Sequence, residues 1–313
     1  MSRSPNSPIR GTGPAVDLVE NIVKVYSIVI CYRPDVPQLF QLCGNLLVNG
    51  SKIILVDNTE TPYLAKQNIP AGCQLITLGF NSGIAHAQNV GIAVAVENGG
   101  SVIAFFDQDS KIEQGFLPTL VSSLSIGIPD IVSPLHFDDT SNVELPSLRL
   151  NRYGVSRTVY RGNSLGPYPV DVVISSGSVV TKEVFEVAGT LDEDFYIDHV
   201  DTEWCLRCRS KQIPIRVVPL AVMRQRIGSK SINLGITTVF FHSPVRCYFQ
   251  LRNCFHLFRR PHIPWLFAWR ETLSIFFSRA LLLLLVADKS TYVKAYLCAL
   301  RDGLKGVTGS KHE

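Results

Sequence analysis

The chain has 313 residues, enough to bury a large core as one α/β domain or as a domain with an appendage. Hydrophobic residues make up 46% of it, charged residues make up 18%, and the formal net charge is +4. Residues 241–313 hold eleven Lys or Arg and four Asp or Glu (+7), so residues 1–240 carry −3. A basic, apolar C-terminal part on a mildly acidic body favours an anionic membrane surface as a partner over nucleic acid.

Residues 1–20 are polar and rich in Ser, Pro and Gly, with no apolar stretch after the early arginines. They predict a disordered leader rather than a secretory signal, and hence a cytoplasmic protein whose cysteines stay reduced. Cys205 and Cys208 have the spacing of a zinc or redox pair, but they fall inside a helical pattern without a second pair. We expect them to be buried structural thiols.

The first half of the chain alternates apolar runs with helical patterns. The predicted strands are 23–31, 52–56, 74–78 and 101–106, and the predicted helices are 36–48 and 84–96. Strands that alternate with helices indicate βαβ units and a mostly parallel sheet. Polar residues gather just after these strands, at the edge where open α/β sheets bind their ligands.

The second half of the chain is less regular and shows no internal repeat. Its patterns predict strands at 168–174 and 215–223, a turn at 192–196, and helices at 199–211, 244–258, 265–286 and 290–304. The chain therefore ends in a helical segment.

Two acids, Asp107 and Asp109, follow directly after the strongly apolar strand 101–106. Uncompensated negative charge is costly at the edge of a core, and a hard divalent cation such as Mg²⁺ or Mn²⁺ would compensate it. A surface turn with two solvated acids would show the same DxD tripeptide. The position after a fourth strand, with Asp57 at the end of the second, favours a metal site that shares its cation with substrate phosphates.

Motifs in a fixed order resemble those of family 2 glycosyltransferases. They are CYRPD, ILVDN, LGFNSGIAHAQNVGI, FFDQDS, SSGSVV, FYIDHVDTEWCLR and HSPVRCYFQLRN. Within that family the chain is similar to bacterial rhamnosyltransferases that build O-antigen or other cell-wall polysaccharides, over residues 24–260. The resemblance implies a GT-A fold, which is a Rossmann-like, mostly parallel central sheet flanked by helices. It also implies a dTDP-β-L-rhamnose donor, a divalent metal and transfer with inversion.

The resemblance gives a domain plan. It predicts the leader at 1–20, a catalytic domain at 21–240 and a helical basic extension at 241–313. The catalytic domain would have a nucleotide-binding half at about 21–112 and an acceptor half at about 113–240.

The resemblance also assigns donor contacts, position by position. Tyr32, Arg33 and Pro34 would lie beside the nucleobase, and Asp57 would accept a hydrogen bond from it. Asp107 would contact the ribose or the metal, and Asp109 would hold the metal that bridges the diphosphate. The segment that lines the nucleotide and sugar would include Asn81, Gly83, Ala87 and Asn89. Gly83 would allow close backbone approach, although Asn81 or Ser82 could equally cap the following helix.

Transfer also needs a base that removes the proton of the acceptor hydroxyl. Members of the family place it in an acidic motif at the start of a helix, which here is Asp198-His199-Val200-Asp201. His199 stands where the family usually has a second acid. We predict Asp198 as the base, followed by Asp201 and then His199, while helix capping is an alternative role for Asp201 and Glu203.

Further contacts are predicted for both substrates. Ser176 and Gly177 would position the donor or acceptor sugar, with a plain turn as the alternative. Gln225 begins the run in which the family often has a His, and Arg224 or Arg226 could neutralise the diphosphate there. His242 is a further candidate metal ligand. Arg246 and Arg252 could clamp a diphosphate through their guanidinium forks, or could lie on a solvated helix face.

The segment 265–286 has the pattern of a basic amphipathic helix. Its apolar residues recur at spacings of three and four: Trp265, Trp269, Leu273, Phe276, Ala280 and Leu284. The strongest apolar run, 280–287, is too short to cross a bilayer. We expect peripheral contact with the cytoplasmic membrane, which suits an acceptor carried on undecaprenyl diphosphate, as the resemblance implies. A core helix or a homodimer helix is the alternative.

Two other classes of function are open. A nucleotidyltransferase that makes sugar nucleotides would have a Gly-rich basic loop after the first strand, and CYRPDVP is not such a loop. An inactive relative that acts as an assembly scaffold would keep the motifs but show no transfer.

Overall fold

The structure is a computed structural model that describes residues 23–65, 68–139, 141–225, 231–233 and 238–310. The predicted leader at 1–20 and Arg226 lie outside the described residues.

The strands are β1 Val25–Cys31, β2 Lys52–Asp57, β3 Cys73–Thr77, β4 Val102–Asp107, β5 Ile131–Asp138, β6 Glu144–Leu145, β7 Ser147–Leu150, β8 Ser156–Val159, β9 Tyr168–Val170, β10 Val179–Thr181, β11 Ile215–Gln225, β12 Ser231–Asn233 and β13 Thr238–Phe240. The helices are α1 Val36–Val48, α2 Ile84–Glu97, α3 Phe116–Val121, α4 Glu183–Ala188, α5 Val200–Ser210, α6 Pro244–Phe258, α7 Trp265–Leu285 and α8 Lys289–Lys305. A 3₁₀-turn covers Glu193–Phe195.

A mixed, mostly parallel sheet of nine strands forms the centre, in the order β3-β2-β1-β4-β10-β5-β11-β9 with β6 beside β5. Strands β1 to β4 are mutually parallel, whereas β10 is antiparallel to both of its neighbours and β9 is antiparallel to β11. The register pairs Cys31 of β1 with Asp57 of β2, and Ile30 with Asp107 of β4. The carboxyl ends of these strands therefore meet at one edge of the sheet.

Helices cover both faces of the sheet. Alternate residues of β4 enter different clusters: Phe105 packs with α2 and α5, and Phe106 packs with α1 and α3. A strand buried on both faces needs the continuous apolar run that the sequence shows, since each large buried side chain contributes roughly 1.5–3 kcal/mol.

The predictions for the first half are confirmed to within two residues at each element boundary. In the second half the strand predicted at 168–174 is wrong beyond Val170, because Asp171 turns the chain. Its carboxylate pairs with Arg209 at 3.1 Å and accepts a hydrogen bond from the backbone of Leu150. The sequence patterns also missed several elements, namely α3, α4, β5 to β8, β10, β12 and β13.

Strand β5 was missed because Pro134 and His136 interrupt its apolar pattern. Pro134 cannot donate to a ladder, and the pairing of β5 with β11 shifts register directly after it, between Val218 and Val222. His136 is nevertheless buried in the strand.

The three predicted C-terminal helices are present. Helix α6 packs against α8, where the Tyr248 hydroxyl donates to Asp302 at 3.0 Å. Gly303 permits this approach, because a Cβ there would lie 2.3 Å from the Phe255 ring. Within the described ranges, none of the helices has the length and apolarity required to cross a membrane.

Cys205 and Cys208 both lie buried in α5 as free thiols, in agreement with the prediction. Burial raises the pKa of Cys205 to about 12, which keeps it protonated.

Candidate active site

The end of β4 is held in place by a turn at Ser176, where substrate positioning was predicted and a plain turn was the alternative. The backbone N–H of Asp107 donates to Ser176 Oγ at 3.0 Å, and Ser110 Oγ lies 3.1 Å from the same oxygen. His136 Nε2–H donates to the Ser176 carbonyl at 2.8 Å. Burial lowers the pKa of His136 to about 4, so the ring is neutral at pH 7. Ser176 thus lies directly beside the first acid of the DxD motif.

Gly177 is required by this turn. Its φ is +81°, and a Cβ would lie 2.5 Å from Met223 Sδ and 2.8 Å from Pro134 Cγ. Its N–H donates to the Phe105 carbonyl at 2.6 Å, which ties the turn to β4. The residue therefore has a backbone role beside the end of β4.

Asp107 is the meeting point of two acidic motifs. Its side chain reaches solvent, although the protein atoms packed around it still desolvate the carboxylate. That desolvation, followed by the negative charges of Asp109 and Asp201, raises the pKa of Asp107 to about 6. Burial likewise raises the pKa of Asp201. The fold thus brings the DxD acids together with the acidic start of α5, although almost a hundred residues separate the two motifs.

Asp198 lies in a backbone segment of unusual conformation. Tyr196, Asp198 and His199 have φ values of 62°, 62° and 63°, which side-chain-bearing residues rarely adopt. His199 is the N-cap of α5 but makes no side-chain cap bond. Asp201 and Glu203 are in the first turn of α5, where acids favour the helix dipole. Asp198 lies before that turn, so capping does not account for it.

Arg246 pairs with Asp198 through two guanidinium nitrogens. Nη2 lies 2.9 Å from Oδ1 and Nε lies 3.1 Å from Oδ2. The first turn of α6, in which Ser243 is the N-cap and Pro244 the first residue, places Arg246 against the acidic turn. Arg246 also acts electrostatically on Asp107, so one cation lies between the two acidic motifs.

Tyr32 and Arg33 meet at a partner that the motif analysis missed, Glu60. The Tyr32 hydroxyl donates to Glu60 Oε1 at 3.1 Å, and Arg33 Nη2 lies 3.2 Å from Oε2. Gln108, the middle residue of the DxD motif, accepts from the Tyr32 N–H at 2.7 Å and donates to the Tyr32 carbonyl at 3.2 Å. The predicted nucleobase loop is therefore fastened to the predicted metal motif.

Asp57 is fully buried, and its carboxylate organises the loop that follows β2. It accepts backbone hydrogen bonds from Thr59 at 3.2 Å, Tyr63 at 2.8 Å and Leu64 at 3.2 Å. The predicted base contact stays a prediction, because both oxygens already have protein partners in this structure.

The segment around Gly83 is tied to the acidic turn. Gly83 has a φ of +86°, and a Cβ there would lie 2.5 Å from the Tyr196 ring. The Tyr196 hydroxyl donates to the Asn81 carbonyl at 3.2 Å, and Tyr196 O accepts from the Ile84 N–H at 2.8 Å. Gly83 itself is the N-cap of α2, so capping by Asn81 or Ser82 is wrong.

Two further residues of that segment have structural partners. Asn89 donates to Leu191 O at 2.9 Å and to Glu193 Oε1 at 2.8 Å, and Ala87 is buried in the core. Asn58, which the motif analysis did not single out, accepts from both the N–H and the hydroxyl of Ser82 at 2.8 Å. Asn58 follows the buried acid Asp57 in the sequence, and that position was the available signal.

The chain matches the family described as Glycosyl transferase family 2 over residues 28–188. It is also 35% identical, over 91% of its length and 97% of the relative's, to the dTDP-rhamnosyl transferase RfbF of Shigella flexneri. The chain belongs to glycosyl transferase family 2.

Solved structures support a GT-A-like fold for this glycosyltransferase. TarS of S. aureus, residues 1–349 in complex with UDP-GlcNAc, superposes with a TM-score of 0.55 at 14% identity, over 91% of this chain and 81% of that one. GalNAc-T7 with UDP, GalNAc and Mn²⁺ gives 0.52 at 13% identity, over 66% of this chain and 44% of that one. Our chain thus spans less than half of that second structure. At such identities the likeness concerns the fold alone.

The DxD acids of this glycosyltransferase suit a divalent cation that shares its shell with a ligand. Within the described ranges there is no cluster of three His, Cys, Asp or Glu side chains able to hold a metal by themselves. Asp107 and Asp109 offer carboxylate oxygens to the solvent and, among the described residues, take part in no ion pair. Desolvation first, and then the charges of Asp109 and Asp201, raise the pKa of Asp107, and a bound cation would lower it. Two hard ligands with open positions fit Mg²⁺ or Mn²⁺ completed by phosphate and water.

His242, Arg252 and Arg224 have different surroundings. Desolvation, with the charges of Arg246 and Arg279, lowers the pKa of His242 to about 4, so its ring is neutral. Arg252 is fully buried and donates to three backbone carbonyls, which leaves it no surface for a phosphate. Arg224 lies with Asp109 along a cavity of about 460 Å³ on the α1 side of the sheet edge.

Proposed function

We propose that this glycosyltransferase transfers L-rhamnose from dTDP-β-L-rhamnose, with inversion, to a glycan acceptor during O-antigen or other cell-surface polysaccharide synthesis. One observation carries the proposal. Arg246 pairs with Asp198 of the acidic turn at 2.9 and 3.1 Å and also acts electrostatically on Asp107 of the DxD motif. The similarity to RfbF supports the choice of donor.

On the donor side, Tyr32 and Arg33 flank the base, and Asp107 and Asp109 face the diphosphate. A divalent cation bound by those two acids would supply positive charge to the leaving dTDP. Arg246 is placed to add a second cation there, since a guanidinium fork binds phosphate oxygens in pairs.

On the acceptor side, Asp198 is the base. The acceptor oxygen attacks the anomeric carbon of rhamnose from the face opposite the diphosphate, and the bond to the dTDP oxygen breaks. Asp198 takes the proton of the attacking hydroxyl, so one carboxylate is enough for a single displacement. In the structure Arg246 holds that carboxylate, and a diphosphate that draws Arg246 away would leave Asp198 free to accept the proton.

The acceptor is proposed to be carried on undecaprenyl diphosphate, with the enzyme bound peripherally at the cytoplasmic membrane. The side of α7 that faces away from the core presents exposed apolar residues, namely Trp265, Leu266, Trp269, Leu273, Phe277, Leu284 and Leu285. Tryptophans beside a basic extension are typical of a helix that lies in the interface of a bilayer. The alternative occupant of this face is a second copy of the chain.

The test is release of dTDP from dTDP-L-rhamnose with and without Mn²⁺. We expect metal-dependent release that Asp109→Asn lowers by roughly 10²–10³-fold, because a preorganised charge at a developing anion has that effect. Asp288→Asn is the matched control, since Asp288 is an exposed acid that caps α8 and Asn caps equally well. Tight dTDP binding without any turnover would favour the inactive scaffold, and faster turnover of another nucleotide sugar would overturn the choice of donor.

A further inference from the structure

A single amide holds the backbone of the acidic turn. Asn253 is fully buried in α6, and its Nδ2 lies 2.9 Å from the Phe195 carbonyl, 2.8 Å from the Ile197 carbonyl and 3.0 Å from the Asp198 carbonyl. Two N–H bonds are thus shared among three acceptors, all in the segment that carries the proposed base.

The orientation of that amide is itself determined. Arg252 donates to Asn253 Oδ1 from Nε at 3.1 Å and from Nη2 at 2.9 Å, so the oxygen faces the guanidinium and the nitrogen faces the turn. Arg252 also donates to the carbonyls of Asp194 and Phe195. The Arg252–Asn253 pair therefore binds one continuous stretch of backbone.

The stretch needs such support because its conformation is unfavourable. Tyr196, Asp198 and His199 all have positive φ, with Tyr196 at a ψ of −63°, and each such residue costs roughly 1–3 kcal/mol relative to an ordinary backbone. The Tyr196 ring stacks on Phe249 of α6 at 4.6 Å between centroids. Helix α6 thus fixes the turn through Phe249, Asn253 and, at the side chain of Asp198, Arg246.

We propose that Asn253 is a positioning residue, which acts on the reaction by fixing the backbone from which Asp198 projects. The inference rests on the proposed function, in which Asp198 is the base. Asn253 touches no substrate, and its effect passes through the three carbonyls of the turn. Helix α6 is on this account part of the catalytic machinery rather than of an appendage.

The diagnostic variant is Asn253→Asp. Asp has the same shape and keeps an oxygen for Arg252, but it replaces the donor nitrogen by an oxygen that faces three carbonyls. We expect kcat for transfer to fall about 100-fold, since a misplacement of about 1 Å in a reacting group has that effect. The donor KM should stay within twofold of the wild-type value. Calorimetry with Mn²⁺ should still show one dTDP bound per chain.

The matched control is Asn49→Asp, at a buried amide that also binds backbone. Asn49 donates to Asn45 O at 2.8 Å and Glu113 O at 3.2 Å and accepts from Leu117 N–H, and none of these partners belongs to the acidic turn. This variant should lose thermal stability and keep kcat. Calorimetry gives the fraction of each preparation that binds dTDP. If the kcat of Asn253→Asp falls only in proportion to that fraction, as in the control, then Asn253 has a merely structural role and the inference is overturned.

A double variant separates this inference from the function on which it rests. If Asn253 acts through Asp198, then Asp198→Asn with Asn253→Asp should be no slower than Asp198→Asn alone. If the two substitutions together lower the rate by the product of their separate effects, the positioning role of Asn253 is overturned, while Asp198 remains the base. Full activity of Asp198→Asn would instead overturn the assignment of the base.

Discussion

At the scale of single residues, Arg246 and Arg252 belong to one motif but differ in exposure and in the groups that they contact. Arg246 is half-exposed and binds the Asp198 carboxylate, whereas Arg252 is buried against carbonyls. The sequence suggested a phosphate role for both. Of these two arginines, only Arg246 has exposed surface for the proposed phosphate contact.

For Arg246→Gln we expect the donor KM to rise roughly 10- to 100-fold, since a hydrogen bond to a charged group contributes about 1.5–3 kcal/mol. Steady-state kinetics with varied dTDP-L-rhamnose will measure the change. Arg301→Gln serves as the control, because Arg301 is an exposed arginine on α8 that also pairs with a neighbouring acid, Asp302. An unchanged KM in Arg246→Gln would remove this residue from the donor site.

A second prediction at this scale concerns the buried His136. Burial lowers its folded-state pKa from 6.5 to about 4, so the unfolded chain binds the proton first as pH falls. The contribution of His136 to the free energy of unfolding is fully present above pH 6.5. It is lost between pH 6.5 and 4, by up to about 3 kcal/mol, since each pKa unit corresponds to about 1.36 kcal/mol. Urea unfolding at pH 7 and pH 4.5 should show a smaller loss for His136→Gln, whose amide can still donate to Ser176. Equal losses would contradict a neutral buried ring.

At the scale of elements, the strand ends and turns of the cleft depend on close backbone approach. Gly177 and Gly115 both have φ near +80°, but only Gly177 has side chains within 4 Å of where a Cβ would be. Substitutions at these two glycines therefore distinguish the cost of backbone strain from the cost of steric overlap.

We expect Gly115→Ala to lower the free energy of unfolding by about 1–2 kcal/mol through strain alone. Gly177→Ala should lower it by a further 1–3 kcal/mol or so, because Met223 and Pro134 must move. Urea denaturation of both variants beside the wild type measures the difference. Equal losses would mean that the turn at Gly177 relaxes freely.

At the scale of the whole molecule, the proposed membrane contact depends on the apolar side of α7. Trp265 is 66% exposed and Trp269 is 42% exposed, and their rings contact each other at 5.8 Å. Exposing these apolar side chains to water costs free energy, and contact with lipid would remove that cost.

Replacing Trp265 and Trp269 together by Ser should weaken binding to phosphatidylglycerol vesicles by roughly 10-fold or more, since each buried aromatic contributes about 1.5–3 kcal/mol. Sedimentation with vesicles measures this, and Leu220→Ser, at an exposed leucine on β11, is the control. If wild type and the double variant sediment alike, while only the wild type dimerises in analytical ultracentrifugation, the face is a dimer interface instead.

The amino-acid sequence by itself determined the parallel half of the fold and the edge at which the site lies. Strands β1 to β4 could be predicted because their apolar runs and the helices between them are local patterns. Asp57, Asp107 and Asp109 followed from those strands, since the ends of parallel strands meet. The resemblance in motif order then led to the family.

Only the tertiary structure decided which groups meet. Asp198 pairs with Arg246 across 48 residues of chain, and Tyr196 bonds to the segment of Asn81 across 115. Local periodicity does not encode such contacts, because they depend on how α6 packs against the turn. For the same reason the burial of Arg252, the three bonds of Asn253 and the interrupted strand β5 were not visible in the sequence: a polar residue that is satisfied inside a core and one exposed to solvent have the same letter.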